Sequence, residues 1–181
     1  MKNPYVYLSN GFAFIFLDLH FFWIPDILPD FLGYLFFIVG IHLLPAFHNL
    51  KRWTKNFAII LMVLSFIVEI AQWFGLEIFQ GISTQFIQFL FIVFMYYVFQ
   101  LLLYMYRNEP LEAKTFKAYQ IFMICMLGGF VVQAFAINIE ASIRDIISFL
   151  GSLAQLSAFV VVNYYYRVCY KNIEQEKSIR F

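Results

Sequence analysis

Two carboxylates, Asp18 and Glu69, stand inside stretches of chain that are otherwise almost wholly apolar. At the centre of a membrane helix a carboxylate costs about 2.5–3.5 kcal/mol on insertion scales. Residues of this kind bind cations, relay protons or pair with a neighbouring helix. Amides accompany them. Gln72 is three residues beyond Glu69, and Gln85 and Gln88 are three apart, so each pair shares one helix face. Gln133 lies five residues before Asn138. The chemistry open to such a set is charge and hydrogen bonding toward a small cationic or polar solute. Asp26, Asp30 and Glu77 extend the acidic character toward an external vestibule. The three histidines are scattered, and Asp18 and His20 are two apart, which on a helix points them different ways. No metal site and no cofactor is expected.

Elements able to hold these residues must be membrane helices. Of 181 residues, 63% are hydrophobic, 22% aromatic and 13% charged, against about 25% charged in a soluble domain. Six segments approach the roughly 20 apolar residues that cross a bilayer: about 5–24, 30–47, 57–76, 84–106, 116–139 and 142–170. The last runs on into a short cytosolic tail, 171–181. The chain reads as one all-α transmembrane domain, a six-helix integral membrane bundle of three antiparallel hairpins. Eleven of the twelve basic residues fall on one side of these spans, and Arg144 alone on the other. Lys and Arg stay cytoplasmic, so both termini are expected in the cytosol. Tyr5, Tyr7, Tyr104, Tyr106, Tyr119, Tyr164, Tyr165, Tyr166 and Tyr170 fall at the inner boundary and Trp23 and Trp73 at the outer one, as interfacial aromatics do. Pro110 is placed to open the fifth helix. Asp30 is placed to cap the second, and Ser142 to Asp145 resembles a capping box at the sixth. Cys125 and Cys169 suit reduced thiols.

The depths agree. Asp18 is five residues before Trp23, and Glu69 is four before Trp73, which sets each roughly 6–8 Å below the outer tryptophan level. Helices 1, 3 and 5 all run outward, so Asp18, Glu69 and Gln133 are expected in one layer, facing Gln85 and Gln88 on helix 4. "LDLHFFWIPD" and "VEIAQWFGLE" each space two carboxylates by eight residues, an echo between hairpins of the kind transporters show. The alternative is structural: intramembrane amides bond across to neighbours, the reading given to Gln100, Gln120, Gln155 and Asn163, and the two acids can pair or be protonated.

"DILPDFLGY", Asp26 to Tyr34, resembles a signature of isoleucine or leucine, Pro, Asp, Phe, Gly and Tyr that follows the first helix in small multi-pass membrane proteins of Gram-positive bacteria. The resemblance implies a bacterial plasma membrane and carries no catalytic role. No zinc-protease, nucleophile-elbow, phosphate-loop or dinucleotide motif occurs, so no enzyme is expected. Net charge is +1, which offers nucleic acid no electrostatic footing. Beyond the lipid bilayer, the expected partner is a small cation or polar solute, bound or transported through an outward-facing acidic cavity. The competing expectation is a non-catalytic accessory or scaffold subunit that docks a membrane-protein partner through 167–181 or the loop around Lys51–Lys55.

Overall fold

Charges cluster at the helix ends and leave long uncharged stretches between them, and every regular element among the described residues is a helix. The computed structural model describes residues 3–18, 30–45, 49–74, 82–107, 109–136 and 141–179. The helices are α1 (Pro4–Asp18), α2 (Asp30–Leu43), α3 (Asn49–Trp73), α4 (Ile82–Met105), α5 (Pro110–Ala136) and α6 (Ala141–Ile179). Four of them, α3 to α6, are long and apolar enough to cross a membrane, which is compatible with a multi-pass membrane protein. At 1.5 Å per residue, the 15 residues of α1 and 14 of α2 span about 21–23 Å, less than the roughly 30 Å hydrocarbon core. The remainder of the expected first span, 19–24, lies outside the described residues.

Several boundaries differ from those the hydropathy predicts. α3 begins at Asn49, eight residues before position 57, and α5 at Pro110, six before position 116. The added turns carry Lys51, Arg52, Lys55, Glu112 and Lys114. Lys, Arg and Glu are good helix formers, so a helix runs on past the point where hydropathy drops. α6 runs through Ile179, so most of the expected tail continues the helix. Pro110 does open α5, with Glu112 in the first turn, where an acid favours the positive end of the helix dipole. Asp30 is the first residue of α2 and not a residue preceding it, and α6 begins at Ala141, so Ser142 lies within the helix.

Each helix packs on the next in sequence, and α1 also packs on α6. Two contacts are close because glycine removes the side chain. Between α1 and α2, a Cβ on Gly11 would lie 2.7 Å from the Gly33 carbonyl oxygen, and one on Gly40 would lie 2.8 Å from Leu8. Leu8 meets the late part of α2 and Gly11 the early part, so these helices run antiparallel. Between α5 and α6, Gly129 and Gly151 face each other's carbonyls. Small residues draw membrane helices together because lipid leaves dispersion packing as the main attraction. Where α2 gives way to α3, the Lys51 ammonium of α3 donates to the carbonyls of His42 and Leu44 at 3.0 and 2.5 Å, which satisfies groups that the end of α2 leaves open.

Aromatic rings fill the middle. Phe12 of α1 packs with Phe91 of α4 at 6.0 Å, Phe122 of α5 at 6.1 Å and Phe159 of α6 at 5.8 Å. Phe37 of α2 and Phe57 of α3 meet Phe94 of α4 edge-on, a favoured geometry for ring quadrupoles. Half of the α4 span is buried, against 22% for each of the other three. No Asp, Glu, Lys or Arg occurs in α4, as expected of a helix surrounded by protein. The outward faces of α3, α5 and α6 expose Ile60, Ile67, Ile124, Phe135, Phe149 and Val160, an apolar surface suited to lipid.

Candidate functional site

The candidate site forms where the start of α2, the end of α3 and the start of α4 meet. Phe31 of α2 packs edge-on against Phe66 of α3 at 5.3 Å. One residue outward from Phe31 is Asp30, and three outward from Phe66 is Glu69, so the two acids occupy the same turn. Each buries one carboxylate oxygen. One turn deeper on the same faces are Tyr34 and Ser65, both buried. Their hydroxyls face one another, yet among the described residues neither makes a hydrogen bond of ordinary geometry. The Tyr34 ring is wedged against Phe91 and Phe94 of α4 at 6.4 and 6.1 Å, which holds the hydroxyl between three helices.

α4 brings amides to the same depth. Phe57 of α3 packs on Tyr97 of α4 at 6.0 Å. Twelve residues outward from each are Glu69 and Gln85, so these lie within about a turn of one level. Gln88, one turn deeper, is buried and Gln85 half-buried. Glu69, Gln85 and Gln88 thus share the outer part of the α3/α4 contact, with Asp30 across from them on α2.

The other expected site residues divide. Asp18 ends α1. Ile15 abuts Gly33, and three residues outward from each come Asp18 and Asp30. The Asp18 backbone is therefore level with the Asp30 turn, while its side chain, like that of Gln72, lies outside the described residues. α1 and α3 share no backbone contact among the described residues, so α2 stands between Asp18 and Glu69. Asp26 and Glu77 also lie outside the described residues. Gln133 faces elsewhere: it accepts a hydrogen bond from Gln155 of α6 at 3.3 Å, beside the Gly129–Gly151 contact. α5 and α3 make no backbone contact among the described residues, so Gln133 and Glu69 are not neighbours on adjacent helices. Tyr34 was legible only as part of the "DFLGY" stretch. Its four-residue spacing from Asp30 was the signal that the two share a face.

No protein family model, curated protein or solved structure matches the chain. Among the described residues no three His, Cys, Asp or Glu side chains gather closely enough to hold a metal ion.

A second polar cluster, at the opposite end of the bundle, is a structural clasp. The Tyr5 hydroxyl of α1 shares a short hydrogen bond with Tyr106 at the end of α4. Thr115 of α5 and Tyr165 of α6 share one of 2.8 Å, and Cys169 is buried among them as a free thiol. These tyrosines, expected at the inner boundary, turn their rings into the protein. The hydroxyls find partners inside the protein and the rings fill space, while Tyr104 and Tyr164 stay exposed. Burial, then the neighbouring Cys169 thiol, raises the Tyr106 pKa above its ordinary value. Ser9 of α1 donates to Asn163 of α6 at 2.7 Å, so Asn163, like Gln155, is a bridging residue.

Proposed function

We propose that the chain is a six-helix bundle of three antiparallel hairpins in a bacterial plasma membrane, with both termini cytoplasmic. Its outer acidic layer binds, and by extension moves, a small cationic or polar solute. The observation that supports this reading is the pair of buried hydroxyls, Tyr34 and Ser65, one turn beneath Asp30 and Glu69 and without ordinary hydrogen bonds among the described residues. Two hydroxyls that face one another without ordinary hydrogen-bond geometry forfeit part of the roughly 1–3 kcal/mol that satisfying a buried polar group is worth. A polar solute or its water, entering beneath the carboxylates, offsets that cost. Gln85 and Gln88 supply further donors and acceptors on α4, and Asp18 adds a third acid from α1 at the same level. External Asp26 and Glu77 raise local cation concentration. A carboxyl here is also a natural proton carrier when burial shifts its titration.

The test is cation binding to purified protein, read as thermal stabilisation by sodium, potassium, tetramethylammonium and putrescine in turn. At a concentration of 100 times Kd, a bound ligand stabilises by about 2.7 kcal/mol. Glu69→Gln, Asp30→Asn and Asp18→Asn should each abolish that shift, and Tyr34→Phe should weaken it. A wild-type protein stabilised by none of the four, or variants that respond as it does, would refute the site.

A second reading has its own observation. Trp53 is 70% exposed on α3 and lines a cavity of about 700 Å³ with Phe57, Ile60, Val93 and Tyr97. An exposed indole beside a cavity near Lys51 and Arg52 suits a docking face for a membrane-protein partner. A scaffold subunit would keep a stoichiometric partner through purification and lose it on Trp53→Ala.

A further inference from the structure

The α5/α6 surface carries a groove that the outer site does not use. Its cavity measures about 420 Å³. Away from the start of α5 the walls are aliphatic, Ile121 from α5 and Val160 from α6, while Val168 lies at the opposite end beside the lysines. At one end stand Lys114 and Lys117 of α5, with Tyr164 of α6 across from them. Both lysines are exposed, Tyr164 is 70% exposed and Val160 is 59% exposed, so the groove opens outward from the protein.

The spacing makes the groove amphipathic along its axis. Lys114, Lys117 and Ile121 recur at intervals of three and four, and so occupy one face of α5. On α6, Val160, Tyr164 and Val168 do the same, and Lys171 continues that stripe three residues on. Arg167 lies seven residues from Val160, two turns along the same side. Lys114 and Lys117 therefore line the groove, with Arg167 and Lys171 beside it, and Ile121 and Val160 lie one turn further along. Glu112, two residues from Lys114, faces the opposite side of α5.

We propose that this groove is a binding site for one anionic phospholipid of the inner leaflet. The start of an acyl chain lies along Ile121 and Val160, and the phosphate rests on Lys114 and Lys117, with Arg167 and Lys171 adding to the field. The argument is charge complementarity joined to depth: the cations sit at the end of the spans where headgroups lie, and the aliphatic walls extend from there toward the bilayer centre. Basic pockets between membrane helices on the cytoplasmic side hold acidic headgroups by this combination. A partner helix would gain from the apolar walls but not from the two lysines. A free phosphate would gain from the cations but not from the walls.

The experiment is native mass spectrometry of the purified full chain in mild detergent, titrated with phosphatidylglycerol or with phosphatidylcholine of identical chains. Lys114→Gln/Lys117→Gln removes the charge. Val160→Trp fills the groove at an exposed position while leaving every charge in place. Circular dichroism and gel filtration establish that both variants fold. Wild type should retain phosphatidylglycerol in preference to phosphatidylcholine. Each lysine removed should weaken phosphatidylglycerol binding about fivefold, and Val160→Trp should reduce retention of both lipids at least as far. Glycerol phosphate, a headgroup without chains, should not compete. The proposal is overturned by equal retention of the two lipids in wild type, by a Val160→Trp protein that still holds phosphatidylglycerol, by displacement with glycerol phosphate, or by a dimer that Val160→Trp breaks.

Discussion

Consider alanine in place of Gly11. A Cβ there would sit 2.7 Å from the Gly33 carbonyl oxygen and 3.1 Å from the Phe37 amide nitrogen, where ordinary contact begins at 3.4 Å. Both obstacles are backbone, so no side chain can swing aside, and α1 must move off α2. Forcing an extra methyl into a packed contact costs about 1–3 kcal/mol. Against this, replacing a mid-helix glycine by alanine gains about 0.5–1 kcal/mol. The net expectation is a loss of up to about 2.5 kcal/mol, with the middle of the range at about 1 kcal/mol. Gly128 is the internal control: it too lies within a helix, and a Cβ there meets nothing within 4 Å. Gly128→Ala should therefore stabilise by about 0.5–1 kcal/mol. The assay is reversible unfolding in mixed micelles of mild detergent and dodecyl sulfate, followed by circular dichroism. The opposite signs matter more than either size. A Gly11→Ala protein as stable as wild type, beside a Gly128→Ala protein that gains, would show that α1 and α2 do not approach as closely as the coordinates have them. The register that levels Asp18 with Asp30 would fall with it.

Other outcomes follow from the same contacts. Tyr106→Phe should cost about 1–3 kcal/mol because it leaves the buried Tyr5 hydroxyl without its partner, and the double change Tyr5→Phe/Tyr106→Phe should recover part of that loss in a double-mutant cycle. Gln155→Leu should destabilise by about 0.6–2 kcal/mol, the range for an interhelical hydrogen bond in lipid, while leaving cation stabilisation unchanged, because its partner Gln133 lies on the α5/α6 contact; a loss of cation response would return Gln133 to the site. Tyr106 should also make the fold sensitive to alkali. Its folded pKa is raised, chiefly by burial, so its contribution is full below the ordinary value of 10.0 and declines as pH rises from there toward the folded value; Tyr106→Phe should flatten that decline in a plot of unfolding midpoint against pH. Cys169 is fully buried and should resist a water-soluble maleimide until the protein is unfolded, and rapid labelling of the folded chain would contradict the inner clasp.

Much of this molecule is written locally. Four spans are visible because a long run of apolar residues is a property of the run itself, and lipid responds to it segment by segment. Pro110 opens α5 because its missing amide costs nothing in a first turn. Even the pairing of Asn163 and Gln155 with neighbouring helices follows from chemistry alone, since an amide in a bilayer has few other places to bond. The start of α3 was less legible, because hydropathy marks where lipid ends, and a helix carrying Lys51 and Arg52 does not stop there.

What the tertiary structure decided is which polar group meets which. In a soluble helix the inward face announces itself by hydrophobic contrast. Here the lipid-facing and protein-facing sides are almost equally apolar, so nothing in the chain tells how each helix is rotated or which helices touch. Gln133 matched Glu69 in depth yet turned to Gln155, while Asp30 came level with Glu69 across the α2/α3 contact. The tyrosines near the basic ends could have served the interface equally well, and four of them instead pack inward. Depth along a helix is additive in sequence and can be counted. Rotation and neighbour order arise from close contacts such as Gly11 on Gly33, between residues distant in the chain, and exist only once the helices have packed.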